Sequence, residues 1–176
     1  MTSRYISKSK WQCRHEARDL VQAIFASEMV APSRCLWIVS PWISDVPVLD
    51  NDALSFRLPD VGWGRRSVRL SEVVLELLRR EATVILATRP DKHNTIFLQQ
   101  LEQACGDAGH ASRLRVHIAE NLHEKGIVGD AFYLGGSMNL THNGLDVLEE
   151  ALHFTTDPDV IAQTRLRYFD RWGGAQ

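Results

Sequence analysis

The chain has 176 residues, of which 44% are hydrophobic and 24% charged, and its formal net charge is −2. This length and composition exclude a disordered chain and predict a single domain over residues 1–176 with a substantial core. A protein that coats duplex nucleic acid through charge is normally basic, so the net charge gives that class no support. Residues 1–18 nevertheless carry five Lys and Arg against one Glu, a run that is typical of a solvated helix face.

The cysteines and the hydropathy bear on the cellular compartment. Cys13, Cys35 and Cys105 are odd in number and lack the spacing of metal ligands, so we expect reduced thiols rather than disulfides or a zinc site. No run approaches the roughly 18 apolar residues of a membrane span, and the basic N-terminal segment precedes no signal-peptide core. We accordingly expect a cytoplasmic protein that is neither exported nor inserted in a membrane.

Helices and strands alternate over the first two thirds of the chain. Apolar residues at spacings of three and four predict helices, and short runs rich in β-branched residues predict buried strands. In chain order these are a helix at 14–30, a strand at 35–39, a helix at 71–80 with Ser71 as N-cap, a strand at 83–88, a helix at 94–108 and a strand at 114–119. This alternation is typical of an α/β sheet with helical crossovers.

The pattern changes after residue 120. Three further strands are predicted at 125–128, 131–134 and 151–155, and the one place between them where a helix could form is after Thr141. A final helix at 157–172 begins with an Asp-Pro pair as N-cap and first helical residue. Residues 41–70 mix Pro, Asp, Gly and Arg and predict one long surface loop, and loops of that length in compact domains are often functional.

Polar residues cluster in the segment NLHEKGIVGDAFYLGGSMN at 121–139. His123 and Lys125 are two positions apart at the head of a predicted strand, so their side chains share one face. Ser137 and Asn139 share a face in the same way after the next strand. One of two neighbouring glutamates opens the strand that follows. Because adjacent strands would bring these ends together, we expect the polar groups to surround one point.

This set of groups suits a phosphoryl ligand. A lysine ammonium and an asparagine amide can bind non-bridging phosphoryl oxygens, and no acidic pair lies nearby in sequence to repel an anion or hold Mg²⁺. A neutral histidine can attack phosphorus, while a carboxylate bonded to its other ring nitrogen fixes the tautomer and stabilises the imidazolium. The chemistry indicated is phosphoryl transfer without a metal ion or another cofactor.

The spacing of these residues resembles the HxKxxxxD…GSxN motif of the phospholipase D superfamily. The matching residues are His123, Lys125, Asp130, Gly136, Ser137 and Asn139. The next segment, NLTHNGLDVLEE, resembles the family's Asn-x-Glu segment with Leu148 in place of the Asn, which puts the glutamate at Glu150, with Glu149 as the alternative. The resemblance implies an α/β fold in which a mixed β-sheet is flanked by helices on both faces.

The resemblance also implies a role for each matching residue. His123 would be the nucleophile that forms a phosphohistidine, and Lys125 and Asn139 would bind the phosphoryl oxygens. Ser137 would hydrogen-bond the phosphate or support the site, and Glu150 would orient His123. The Asp of the motif is expected to be structural.

The chain carries one copy of the motif, whereas members of the superfamily use two, one histidine as nucleophile and the other as general acid. No histidine other than His123 has Lys two positions later. Two chains related by a twofold axis could each contribute one motif, which is the commonest oligomeric arrangement. We therefore expect a homodimer with a shared active site, similar to the small single-motif bacterial nucleases of the superfamily.

Other residues could contribute to substrate binding. Trp63 could stack on bases while Arg65 and Arg66 grip backbone phosphates, although an ordinary loop with a packed Trp explains these residues equally well. His142 lies in the turn after the motif, where we expect it to be solvated and able to touch substrate.

Three classes of function follow from the resemblance. The first is a phosphodiesterase acting on DNA, a nuclease or nuclease subunit that works with partner proteins of a bacterial DNA-processing or defence system. The second is an enzyme that hydrolyses or exchanges phospholipid head groups, for which an exposed apolar interfacial helix or a second motif would be expected. The third is a module that binds phosphodiesters without cleaving them. Small size, one motif and the basic N-terminal run favour the first class.

Overall fold

The computed structural model describes residues 3–8, 15–53 and 61–174. In these residues the helices are α1 (Glu16–Val30), α2 (Leu70–Arg79), α3 (Lys92–Asp107) and α4 (Pro158–Trp172). The strands are β1 (Ser3–Lys8), β2 (Cys35–Val39), β3 (Pro47–Asp50), β4 (Ser67–Arg69), β5 (Thr83–Thr88), β6 (Leu114–Ile118), β7 (Gly126–Val128), β8 (Tyr133–Gly136) and β9 (Glu150–Thr155). Cys13, Lys10 and Arg14, on which predictions were made, lie outside the described residues.

Seven strands form one mixed sheet in the order β1-β9-β8-β7-β2-β5-β6. β2, β5 and β6 are parallel to one another, whereas β7, β8, β9 and β1 join the sheet through antiparallel pairs. The parallel half comes from the strand-helix-strand units that the sequence predicts, and the antiparallel half from the strands after residue 120 together with β1. The prediction of a mixed α/β sheet is therefore confirmed.

Helices cover both faces of the sheet, as predicted. The alternation of side chains along β2 divides the core, because Leu36 and Ile38 face α1, α2 and α3, while Trp37 and Val39 face α4. Both sets are almost completely buried. A strand that is apolar on both faces must lie inside a sheet with two covered sides, which explains why residues 35–39 form a continuous apolar run.

Three features of the fold differ from the sequence-based expectations. The strand β1 was not predicted; it pairs antiparallel with β9 at the edge of the sheet. Residues 41–70 are not one loop, because β3 and β4 form a hairpin within them, with 54–60 outside the described residues. The helix α2 begins at Leu70 rather than after a Ser71 cap. The amide of Ser71 instead donates to Asp45 at 2.9 Å, so a carboxylate from a distant loop satisfies the helix end.

The N-cap predicted for the last helix is confirmed. The Asp157 side chain accepts hydrogen bonds from the amides of Asp159 and Val160, and Pro158 occupies the first helical position. Within the described part of the chain, no helix is long and apolar enough to cross a membrane.

Two basic side chains hold the turn that follows the GSxN segment. Asn143–Val147 form a single π-helical turn, and Arg18 of α1 donates from Nε to Asp146 at 2.7 Å and from Nη2 to the other carboxylate oxygen. The buried Lys8 of β1 donates from Nζ to the carbonyl oxygens of Gly144 and Leu145 at 3.0 and 2.7 Å. Side chains from β1 and α1 thus satisfy carbonyl and carboxylate oxygens of this turn.

The ion pair between Arg18 and Asp146 makes stability depend on pH. The hydrogen bond from Arg18 holds the pKa of Asp146 below its ordinary value. A carboxyl whose pKa is lower in the folded state adds stability that is present above its unfolded pKa, about 3.9, and is lost as the pH falls through the folded pKa. We expect Asp146→Asn to lower the Tm at neutral pH and to flatten the fall of Tm below about pH 4.

The measurement is a series of thermal unfolding curves followed by circular dichroism at neutral and acidic pH. Asp170→Asn is the matched control, since the Asp170 side chain is exposed on α4 and makes no hydrogen bond or ion pair with another described residue. An unchanged acid slope in Asp146→Asn would contradict the role assigned to the pair.

Candidate active site

His123 and Lys125 lie in the extended segment that leads into β7. This segment is at the carboxyl-terminal end of β2, because Gly126 pairs with Val39. The His123 side chain is exposed, while Lys125 is half-buried and its Nζ donates to the His123 carbonyl oxygen at 2.8 Å. The exposed imidazole and an ammonium group that binds the backbone of the same residue therefore lie at this edge of the sheet.

Ser137 and Glu150 are joined directly. The Ser137 hydroxyl donates to Oε2 of Glu150 in a very short hydrogen bond and accepts from the amide of Ala151 at 3.0 Å. Glu150 is only 7% exposed, whereas Glu149 is exposed. The carboxylate that the sequence favoured is therefore the buried one, and its partner is the motif serine.

A close approach between β8 and β9 makes this contact. Gly136 pairs with Leu152 and has a φ of 144°, and a Cβ at Gly136 would collide with the carbonyl oxygen of Ala151. Only glycine adopts this backbone without strain and leaves room for the neighbouring strand. The Gly before Ser137 in the motif thus has a physical reason, since it lets β9 deliver Glu150 to the serine hydroxyl.

Among the described residues, no hydrogen bond joins the His123 ring to Glu150. The expectation that Glu150 orients His123 therefore stays a prediction, as do the roles of Lys125, Ser137 and Asn139 toward a phosphate. What the structure brings together is the exposed imidazole, the neighbouring ammonium, the exposed Ser137 and the buried Glu150 that it binds, on adjoining segments of β7, β8 and β9.

Asn139 is oriented by the segment that follows β2. The amide of Trp42 donates to Oδ1 of Asn139 over 3.4 Å. Ser40 reinforces this contact, because its hydroxyl accepts from the amide of Leu140 at 3.0 Å and donates to the Trp42 carbonyl at 2.7 Å. With Oδ1 facing Trp42, the amino group of Asn139 is the end that donates to a ligand.

Two cavities adjoin these residues. A small one, of about 20 Å³, is lined by Lys125, Ser40 and Gly136 among others. A wider one, of about 460 Å³, is lined by Asn139, Trp42, His93 and His142 among others. Within the described ranges, no three His, Cys, Asp or Glu side chains are arranged to hold a metal ion.

Some residues that the sequence singled out are elsewhere. The guanidinium of Arg66 forms a two-pronged ion pair with Glu72 of α2, and Arg65 is exposed in the same loop. Trp63 packs partly against the core and borders a separate cavity along α2. In the part of the chain that is described, neither arginine lines the cavities that contain Lys125 and Asn139, so substrate binding by Arg65 and Arg66 stays a prediction.

Asp130 lies at the opposite end of the sheet from His123. Its carboxylate accepts from the backbone amide of Arg34, just before β2, at 3.0 Å, and forms an ion pair with Arg165 of α4. These contacts tie β2, β7 and α4 together and agree with the structural role expected for the aspartate of the motif. His142, expected to be solvated, has a side chain that is 72% exposed, with its Nδ1 3.0 Å from Asp146.

Sequence reasoning did not identify Ser40, Trp42 or Lys8 as parts of this region. A signal was present for the first two, because they immediately follow a buried strand, and the carboxyl ends of parallel strands are where ligands bind in α/β sheets. Lys8 gave no such signal, since it lies on a strand that was not predicted. Lys8 lies opposite Glu150 because β1 pairs with β9, and this pairing between distant segments leaves no local pattern in the sequence.

Solved structures resemble the chain over nearly its whole length. NucT from Helicobacter pylori is 14% identical, with a TM-score of 0.60 over 96% of this chain and 93% of that one. Nuc from Salmonella typhimurium, a phospholipase D family member, is 12% identical, with a TM-score of 0.59 over 99% and 96%. A phosphatidylserine synthase from Haemophilus influenzae is 12% identical, with a TM-score of 0.57 over 96% and 38%.

No protein-family model and no curated protein sequence matches the chain. The likeness is therefore one of architecture, and it includes a structure that carries the family name. It agrees with the mixed sheet, with the helices on both of its faces and with the fold expected from the motif. The chain therefore has the same fold as NucT and as Nuc, which is a phospholipase D family member.

Proposed function

We propose that the protein is a metal-independent phosphodiesterase that acts through a phosphohistidine at His123. The observation that carries the proposal is that every polar residue of the motif except Asp130 lies at one edge of the sheet, where Ser137 binds Glu150 and Asn139 is held with its amino group available. The likeness in fold to Nuc, a phospholipase D family member, supports it. A packed core gains nothing from exposing an imidazole beside an ammonium and burying a carboxylate, so a ligand best explains the arrangement.

The proposed reaction has two displacements at phosphorus. In the first, a ring nitrogen of His123 attacks, the ester P–O bond breaks, and a general acid protonates the leaving oxygen. In the second, water attacks the phosphohistidine, the P–N bond breaks, and a phosphate monoester leaves. Lys125 and Asn139 stabilise the negative charge that develops on the non-bridging oxygens. Glu150, supported by Ser137, stabilises the imidazolium form.

A single motif supplies a nucleophile but no second motif histidine to act as the general acid. We infer that a second copy of the chain provides it, so that two motifs meet across a twofold axis in a homodimer. His123 is exposed in the single chain, which is what a shared site requires. Each histidine would then serve as nucleophile or as acid toward the substrate bound between them.

DNA is the substrate that we propose, with the protein acting as an endonuclease alone or with partner proteins of a DNA-processing or defence system. The lipid alternative draws support from the likeness to a phosphatidylserine synthase, although the chain spans 38% of that structure. The alternative of a non-catalytic module draws support from the bond between Glu150 and Ser137, which leaves the imidazole without a carboxylate partner among the described residues.

The reaction predicts cleavage that needs His123 and no metal. We expect the protein to cleave labelled single- or double-stranded DNA in EDTA, and His123→Ala to abolish cleavage because the nucleophile is gone. His110→Ala, which removes a histidine remote from the motif, is the matched control. Loss of cleavage by the wild type in EDTA would refute the mechanism, and cleavage of lipid head groups instead of DNA would favour the second class.

Asn139→Asp tests the binding of phosphoryl oxygens. The variant keeps an acceptor for the Trp42 amide but replaces the amino donors with a negatively charged oxygen. We expect kcat/KM to fall about 100-fold or more, the cost of losing one donor to a developing oxyanion. Gln100→Glu, the same change of charge on the exposed face of α3, should have no such effect. Equal activity of wild type and Asn139→Asp would remove Asn139 from the site.

Mixing subunits tests the shared site. Wild type and His123→Ala are combined in equal amounts, exchanged to equilibrium and assayed, with exchange verified by a mass tag. If each site needs both histidines, only wild-type pairs are active and activity falls to about a quarter of the undiluted value. A fall to about half would mean that each chain acts independently. Full activity in a protein that sediments as a monomer would also contradict the homodimer.

A further inference from the structure

Trp42 borders the wider cavity next to Asn139 and is the one Trp, Tyr or Phe among the described residues that line it. The cavity has a volume of about 460 Å³, which is within the range of sites for small organic ligands. Trp42 is 38% exposed, although it directly follows the buried strand β2. Exposing an indole costs free energy unless something covers it, and this indole lies beside the residue that is expected to bind phosphate.

The indole is held in place by its surroundings. Its Nε1 donates to Asp91 at 3.2 Å, and its backbone amide donates to Asn139. The guanidinium of Arg89 lies over the ring, 5.5 Å from the centroid, in a cation–π contact. Because these contacts already restrict the indole, the side chain loses less conformational entropy when a ligand binds. The ring is therefore preorganised as a flat surface.

The carboxylates near this cavity are already bound by donors. Asp91 accepts from the amide of His93 at 2.8 Å as well as from the indole, and Asp146 accepts from Arg18. These hydrogen bonds hold the pKa of both carboxyls below their ordinary values. Both carboxylates are therefore negatively charged at neutral pH. Arg18 pairs with Asp146, and Arg89 places a positive charge near Asp91 and the ring, so these two guanidinium groups reduce the repulsion that an anionic ligand meets.

The rest of the lining includes further groups that can form hydrogen bonds. The Ser44 hydroxyl is 2.6 Å from Nε2 of His93, and His142 and Thr141 complete the polar side. A flat aromatic ligand with donors and acceptors on its edge would stack on the indole and reach these groups. Among biological phosphodiesters, nucleic acid carries such a group next to the phosphate.

We propose that this cavity, which we call the Trp42 pocket, binds an unpaired nucleobase stacked on Trp42 while the adjacent phosphodiester lies at Asn139. The inference rests on the proposed function and deepens it by naming the substrate as single-stranded nucleic acid. In a duplex the faces of the bases are occupied by their neighbours, so only an unpaired or flipped base can enter.

The test measures binding without cleavage. In a His123→Ala background, fluorescence anisotropy follows three labelled probes: a DNA single strand of about 12 nucleotides, the same length of abasic deoxyribose phosphate, and the corresponding duplex. Adding Trp42→Ala should weaken binding of the single strand about 5- to 150-fold, the worth of one stacked base. It should leave the weaker binding of the abasic probe and the duplex unchanged.

Two further variants make the result specific. Trp42→Phe retains a ring and should recover part of the lost affinity for the single strand. Tyr5→Ala removes another exposed aromatic side chain, on β1 away from the cavity, and should change nothing. The proposal would be overturned if the His123→Ala protein bound the single strand equally well with and without the additional Trp42→Ala substitution. The proposal would also be overturned if Trp42→Ala weakened binding of the abasic probe as much as binding of the single strand. It would likewise be overturned if, with phosphatidylcholine vesicles as a fourth probe, Trp42→Ala weakened only the binding of the vesicles.

The outcome can be separated from that of the proposed function. Hydrolysis of bis(p-nitrophenyl) phosphate, which needs no nucleobase, reports on the phosphodiesterase chemistry of the otherwise wild-type protein and of His123→Ala. If hydrolysis of bis(p-nitrophenyl) phosphate depends on His123 but Trp42→Ala has no effect on oligonucleotide binding, the Trp42 pocket is refuted and the phosphodiesterase is not. Base-dependent binding through Trp42 without any hydrolysis would support the pocket and refute the enzyme.

Discussion

The hydroxyl of Ser40 joins two segments that are 100 residues apart, and the geometry of the candidate site depends on it. The hydroxyl accepts a hydrogen bond from the Leu140 amide and donates one to the Trp42 carbonyl oxygen. It thereby connects the segment after β2 to the chain just after Asn139. The bridge between Ile43 and Leu140 continues the same connection. These contacts place the Trp42 amide against Oδ1 of Asn139, and the amino group of Asn139 is therefore the end that faces a ligand.

A second connection supports the other half of the site. Gly136 allows β8 and β9 to approach closely enough for Ser137 to bind the buried Glu150. A buried carboxylate is costly without donors, so the serine stabilises it, and β9 in turn is stabilised by pairing with β1. The motif is therefore positioned by strands on both of its sides, while its histidine remains exposed. That combination is expected of a half-site that is completed by a second chain.

Local patterns in the sequence predicted much of the fold but few of the contacts. The buried strands at 35–39 and 83–88 were predicted because an apolar run reports burial directly. The strand β1 was not predicted because only Ile6 and Lys8 of its six residues are buried, and a lysine is not a residue that indicates a buried strand position. The Ser71 cap was wrong because Asp45, from a loop distant in sequence, satisfies that helix end. Parity along strands placed the motif residues together, but it could not reveal the partners of Glu150 and Asn139, which depend on tertiary pairing.

The central claim is that His123 bonds covalently to phosphorus, and trapping the intermediate tests it most directly. The protein is quenched with alkali during turnover of bis(p-nitrophenyl) phosphate, because phosphohistidine is labile in acid, and its peptides are examined by mass spectrometry. We expect a nitrophenylphosphoryl group on the peptide that contains His123, and none in His123→Ala. An adduct on another residue, or undiminished turnover by His123→Ala, would contradict the account.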